Sequence, residues 1–266
     1  MYSNLHVSTA VYCLVRMTGY FFQFENAREG IFMGLSTFVS YNFIRYVNFL
    51  ENKLTAHINS WFAKHLKLLF CLTVFDVLWL LLLSKSFHGL SFLLLLPFVV
   101  LTAMYGLPLL KYKGESISLR GFPSLKIVSI AFSWAGLSVL FPLVSQKIPI
   151  SFLHGVFFMQ QFLFVLVLTL PFDIRDLGVD EKRLKTVPQL LGVQKTKYLG
   201  MGLLLLFVGI SYLTMSLFFF WHACIGAFLV GVFLLLSNKQ QAHYFASFWV
   251  EGIPIVWYSV TSLSLL

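Results

Sequence analysis

Long, uninterrupted apolar runs are the feature of this sequence that most restricts its fold. Nine runs have roughly the 20 residues that a helix needs to cross the hydrocarbon layer of a bilayer. They cover residues 5–24, 30–47, 66–84, 89–110, 124–145, 150–172, 197–216, 218–237 and 244–265. The runs do not alternate apolar and polar residues, as the strands of a transmembrane barrel do. We therefore predict an all-α polytopic membrane protein, a bundle of nine transmembrane helices forming one domain over residues 1–266.

The composition excludes the main alternatives to a membrane protein. Charged residues make up 11% of the chain, whereas they make up about a quarter of an ordinary soluble domain. A single soluble core of this size would lack the polar side chains needed to cover its surface. A cytosolic globular enzyme, a disordered protein and a secreted disulfide scaffold are therefore excluded.

The basic residues indicate how the bundle is oriented. Long loops at about 48–65, 111–123 and 173–196 alternate with tight turns. If the chain crosses the membrane nine times, its Lys and Arg residues lie on the same side of the membrane as these loops. The exceptions are Arg16, Arg28, Lys85 and Lys147. Cytoplasmic loops carry an excess of Lys and Arg, so this side is predicted to be cytoplasmic, with the N-terminus there and the C-terminus opposite. Such a face suits anionic lipid headgroups, and its scattered charges do not suit nucleic acid.

An acidic cluster at the end of the sixth run is the strongest candidate for chemistry. Asp173, Asp176 and Asp180 would share one face if the helix continued, and three adjacent carboxylates repel one another unless a cation neutralises them. Mg²⁺ binds few carboxylates and completes its coordination with phosphate oxygens. The alternative is a solvated acidic turn neutralised by its basic neighbours, Arg175, Lys182, Arg183 and Lys185.

The segment PFDIRDLGVDEKRLKTVPQLLG resembles the second aspartate-rich motif of the UbiA-type membrane prenyltransferase superfamily. That motif has three aspartates at this spacing, then basic residues, a Thr-x-Pro turn and a Leu-Gly pair. The corresponding residues here are Asp173, Asp176, Asp180, Lys185, Thr186, Pro188 and Leu191–Gly192. A second segment, MYGLPLLKYKGESISLRGFPSLK, resembles the family's loop after helix four, where Tyr105, Lys111 and Arg120 would approach a diphosphate.

The resemblance implies an enzyme that moves an isoprenyl group from an isoprenyl diphosphate to a lipophilic, commonly aromatic, acceptor. It implies Mg²⁺ bound by Asp173, Asp176 and Asp180. Diphosphate contacts would come from Lys111, Arg120, Arg175 and Lys185, with Tyr105 and Asn42 near the reacting centre.

The first aspartate motif of that family is altered in this chain. Its pattern is Asn-x-x-x-Asp-x-x-x-Asp, and alignment on Asn42 places Tyr46 and Leu50 at the two aspartate positions. Asn48 and Glu51 are nearby oxygen donors at a different spacing. Three interpretations stay open: an active enzyme with one metal motif, an enzyme with a changed reaction, and an inactive scaffold that binds isoprenoid lipid or quinone.

A small-molecule transporter is an alternative of another class. Ionisable residues within membrane spans are costly and commonly face a cavity, and three occur here, Arg16, Asp76 and Glu251. Pairing between helices, or a position near the headgroups, is the preferred explanation for each of these residues.

Overall fold

The structure, a computed structural model, describes residues 4–50, 56–107, 110–112, 115–117, 119, 125–178, 185–242 and 244–265. Its α-helices are α1 (Leu5–Phe22), α2 (Ala27–Leu50), α3 (Ala56–Ser84), α4 (Gly89–Gly106), α5 (Leu125–Ala135), α6 (Phe141–Ser145), α7 (Phe152–Asp176), α8 (Val187–Leu191), α9 (Val193–Thr214), α10 (Leu217–Leu236) and α11 (Ile253–Leu263). Two π-helical segments, Gly136–Leu140 and Phe245–Val250, precede α6 and α11. The prediction of an all-α membrane bundle is confirmed.

Within these described ranges, six helical segments are long and apolar enough to cross a membrane. They are α3, α4, α7, α9, α10 and the continuous helix Leu125–Ser145, which joins α5 to α6. The other three predicted runs, 5–24, 30–47 and 244–265, are also largely helical but do not meet the same length and hydropathy limits. All nine predicted runs therefore coincide with helices, while the count of nine spans stays a prediction.

The loop predicted at 111–123 contains a short hairpin. Strand β1 (Leu110–Tyr112) pairs antiparallel with β2 (Glu115–Ile117), and Lys111 lies opposite Ser116. This hairpin follows α4 and precedes α5, so it lies in one of the connections that the charge distribution assigns to the cytoplasmic side.

Helix α7 lies at the centre of the bundle. It packs against α5, α9 and α10, and its buried side chains include Phe164 and Leu170. The ring of Phe164 packs against Trp257 of α11 with 4.7 Å between ring centroids and the ring planes tilted by 38°. In contrast, α3 and α4 expose most of their apolar side chains, as expected where the surrounding solvent is lipid.

Hydrogen bonds at the helix ends show which ends lie together. Asn4, before α1, donates to Asn42 near the end of α2 at 2.7 Å, and Gln241 donates to the Pro171 carbonyl of α7 at 3.0 Å. We call this the aspartate end, because α7 finishes here with Asp173 and Asp176. The opposite end is joined by other contacts, among them Ser145 with Glu29 at 3.0 Å.

Candidate functional site

Asp173 lies on the last turn of α7 and is almost completely buried, with 1% of its surface exposed. One of its carboxylate oxygens is 3.1 Å from the ammonium nitrogen of Lys126. Lys126 is the second residue of α5 and is itself buried at 9% exposure. The close packing of α5 on α7 therefore brings a lysine and an aspartate together in the interior of the aspartate end.

Asp176 follows three residues later on the same face of α7. Its carboxylate oxygen Oδ2 is 3.9 Å from the Lys126 nitrogen. Arg175 holds Asp176 with two hydrogen bonds, Nε to Oδ1 at 2.7 Å and a terminal nitrogen to Oδ2 at 3.1 Å. Two carboxylates and two cations thus form one compact cluster.

The donors of this cluster suit a hard divalent cation. Mg²⁺ commonly binds one or two carboxylates of a protein, and water and phosphate oxygens complete its coordination shell. Asp173 and Asp176, one helical turn apart, provide two such carboxylates. The structure nevertheless shows both carboxylates engaged by ammonium or guanidinium groups. Among the described residues no group of three or more His, Cys, Asp or Glu side chains is arranged to hold a metal ion, and Asp180 lies outside them.

The turn after the aspartates forms as the Thr-x-Pro pattern predicts. Thr186 precedes α8, its backbone N–H donates to the Gln189 side chain at 3.0 Å, and Pro188 occupies the first turn. This capping box satisfies backbone donors that a helix start leaves unpaired. Lys185, directly before it, adopts a left-handed backbone with φ of 43°.

Asn42, predicted to lie near the reacting centre, is in the second half of α2, and its amide is used in packing. It accepts a hydrogen bond from Asn4 and donates one to Thr73 of α3 at 3.3 Å. The side chain is buried and ties α1, α2 and α3 together. Asn48 lies half-buried one to two turns further along α2.

Two other predicted residues, Tyr105 and Lys111, lie at the end of α4 and in the hairpin after it. Tyr105 is near the end of α4, in the vicinity of Tyr41 of α2. Lys111 is in β1, and Arg120 lies outside the described residues. The structure thus brings together Asp173, Asp176 and Arg175 out of the predicted set.

The most central cation, Lys126, is not among the predicted site residues. It is the last residue of the quoted segment after helix four, for which the resemblance identifies Tyr105, Lys111 and Arg120 instead. The sequence signal for Lys126 is its position as the first charged residue of an apolar run. A lysine in such a position is expected either to face an acidic partner inside the bundle or to reach the lipid headgroups.

Glu251 marks a second polar region of the interior. It lies just before α11 and interacts electrostatically with Arg45 of α2 and Arg175 of α7. Tyr41 lies close to Trp134 of α5 and within electrostatic range of Glu251. Polar side chains from α2, α4, α5, α7 and the start of α11 therefore converge.

Arg16, one of the three ionisable residues that suggested transport, has an ion-pair partner. It is paired with Glu25 and also donates to Asn26 at 3.2 Å, at the end opposite the aspartates. This pairing favours the structural interpretation of Arg16. Glu251 lies within electrostatic range of Arg45 and Arg175.

Comparisons with known proteins identify the fold. No family model and no curated protein matches the sequence, but three solved structures are similar across nearly the whole chain. A UbiA homolog from Archaeoglobus fulgidus bound to GPP and Mg²⁺ has a TM-score of 0.60 at 11% identity, covering 98% of both chains. The same homolog bound to DMAPP and Mg²⁺ has a TM-score of 0.54 at 12% identity, covering 100% of this chain and 99% of that one. The chain therefore has the UbiA-type fold and is a multi-pass integral membrane protein.

Proposed function

We propose that this protein is a UbiA-type membrane prenyltransferase, which moves an isoprenyl group from an isoprenyl diphosphate to a lipophilic acceptor. The observation that carries the proposal is the cluster of Asp173, Asp176, Lys126 and Arg175 at one end of a UbiA-type bundle. The similar Archaeoglobus structures contain GPP or DMAPP with Mg²⁺, so the fold accommodates an isoprenyl diphosphate and a metal ion.

Departure of the diphosphate is the step that this cluster would assist. Asp173 and Asp176, with Asp180, would hold Mg²⁺, which supplies Lewis-acid stabilisation of the leaving diphosphate. Lys126 and Arg175 would place two further positive charges beside the same oxygens. Lys111 and Lys185 belong to connections of the same end, and the resemblance adds Arg120. Positive charges within a buried site stabilise a developing negative charge more strongly than they would in water.

The interior beyond the cluster suits the prenyl group and the acceptor. Tyr41, Tyr105 and Trp134 come from three helices and lie near the polar region around Glu251. Aromatic faces stabilise a nearby cation, and an interior without water protects a reactive allylic centre. Asn42 stabilises this part of the bundle by linking three helices, which makes it a positioning residue.

The activity is tested with purified protein, Mg²⁺, labelled farnesyl and geranylgeranyl diphosphates, and a panel of aromatic acceptors. We expect acceptor-dependent release of diphosphate, and we expect Asp176→Asn to lower that rate by about 10²-fold, since it removes one charged group from the reacting centre. Glu25→Gln is the matched control, because it neutralises an exposed carboxylate at the opposite end. An Asp176→Asn variant as fast as the parent would contradict the assigned site.

A binding scaffold without turnover is the second candidate. It is favoured by α2, where Tyr46 and Leu50 occupy the positions of two carboxylates and both side chains are exposed. In the same assay such a scaffold would bind the labelled isoprenyl diphosphate, and Asp176→Asn would change its affinity, but no diphosphate would be released with any acceptor.

A further inference from the structure

The position of Lys126 between two aspartates is the feature that leads beyond the proposed activity. Its nitrogen is 3.1 Å from Asp173 and 3.9 Å from Asp176, so one ammonium contacts the same two carboxylates that a metal ion would use. We propose that Lys126 is a resident cation that competes with divalent metal at this site and supplies part of the charge that binds diphosphate. The inference deepens the proposed function and rests on it for the identity of the ligand.

Burial makes this competition strong. Only 2% of the Asp173 side chain and 11% of the Lys126 side chain are exposed. Removing one partner from a buried ion pair leaves an uncompensated charge, which is far more costly than losing a pair at the surface. A metal ion can therefore bind Asp173 fully only if the Lys126 ammonium moves to another anion, and an incoming diphosphate provides one.

The charge balance of the cluster leads to the same conclusion. Asp173 and Asp176 carry two negative charges, and Lys126 and Arg175 carry two positive charges. The described cluster is thus neutral before any ligand arrives. A divalent ion alone would leave it with an excess of positive charge, whereas an ion that arrives with a diphosphate would not.

The altered motif on α2 is consistent with a resident cation in this chain. Near its end α2 has Arg45, Tyr46 and Leu50 and, up to Leu50, no carboxylate. The described part of α2 therefore offers no acidic ligand to a further metal ion in that region, and protein cations such as Lys126 would supply positive charge instead.

The competition is measured by Mn²⁺ binding to the purified protein, followed by electron paramagnetic resonance without substrate or acceptor. We expect Lys126→Met to bind Mn²⁺ roughly tenfold more tightly than the parent, because the ammonium no longer occupies Asp173. Lys126→Arg keeps the charge and should bind Mn²⁺ like the parent. Lys195→Met, which changes an exposed lysine on α9, is the matched control and should have no effect.

A second measurement repeats the Mn²⁺ titration in the presence of inorganic pyrophosphate. Pyrophosphate should tighten Mn²⁺ binding to the parent, because it offers the Lys126 ammonium another anion, and this gain in affinity should be smaller by roughly tenfold in Lys126→Met. If Lys126→Met does not fold, Lys126→Gln replaces it in both titrations. Unchanged or weaker Mn²⁺ binding in the neutral variant, or a gain from pyrophosphate as large as that of the parent, would overturn the proposal.

These results are separable from the test of prenyl transfer. If Lys126 competes with Mn²⁺ but the protein has no turnover, Lys126 is still a resident cation, and the protein is a binding scaffold and not an enzyme. If the protein transfers prenyl groups but its Mn²⁺ affinity is the same in Lys126→Met, the proposed function is supported and the inference about Lys126 is wrong.

Discussion

Individual charged residues in this protein are accommodated by close partners. Asp173 and Lys126 are both buried, and each would be costly alone in an apolar environment. Their pairing across α5 and α7 explains how charge is retained within the bundle at the aspartate end. Ionisable groups kept in such places at a cost in stability commonly serve function, in agreement with the proposed role.

Glu25 gives a test at the residue scale. It lies in the turn between α1 and α2, and its hydrogen bond from Arg16 lowers the pKa of the Glu25 carboxyl below its usual value. Because the pKa is lowered in the folded state, the Arg16–Glu25 pair contributes fully to stability above about pH 4.3, the ordinary pKa of Glu. That contribution is lost as the pH falls through the folded-state pKa of Glu25.

We therefore expect Glu25→Gln to have a lower melting temperature than the parent at pH 7, and the difference to shrink as the pH falls below about 4. The measurement is a series of thermal unfolding curves in detergent over that pH range. A difference that stayed constant with pH would show that the Arg16–Glu25 pair does not contribute through its charge.

At the scale of whole helices, α9 shows how small residues permit close packing. A Cβ atom added at Gly200 would meet Leu234 of α10 and would lie 2.9 Å from the Cδ1 atom of Leu170 of α7. Both leucines are fully buried and have little room to move. Gly202 lies two residues further along the same helix, and a Cβ atom added there would have no neighbouring atom within 4 Å.

Gly200→Ala is accordingly expected to destabilise the bundle by about 1–3 kcal/mol, the usual range for overpacking a core. Gly202→Ala should change stability by less than about 0.5 kcal/mol or raise it slightly, because alanine favours a helix and meets no neighbour. Thermal unfolding of the two variants beside the parent checks the pair. Equal effects at both positions would contradict the α7–α9–α10 contact.

The predicted orientation concerns the molecule as a whole. Lys195 lies just inside α9 at the aspartate end, and Lys147 follows α6 at the opposite end, and both are exposed. With the natural cysteines Cys13, Cys71 and Cys224 replaced by alanine, cysteine at position 195 should react with an impermeant maleimide only from the cytoplasmic side. Cysteine at position 147 should react only from the other side, and the reverse pattern would show that the basic loops are not cytoplasmic.

The sequence was sufficient to predict the helices and the main acidic pair. Apolar runs report local burial, so each of the nine predicted runs coincides with a helix. Asp173 and Asp176 could also be placed correctly, because a spacing of three residues on one helix puts them on the same face.

Only the tertiary structure identified the partners of those aspartates. The loops at the aspartate end contain many basic residues, and their positions in the chain do not reveal that Lys126 is the one in contact. That choice depends on how far α5 is rotated and how closely it approaches α7, and both are decided by packing among several helices at once. The same applies to Asn42, whose amide bonds Asn4 and Thr73 across three helices. Hydropathy and spacing are properties of one segment, whereas a contact between charges is a property of two.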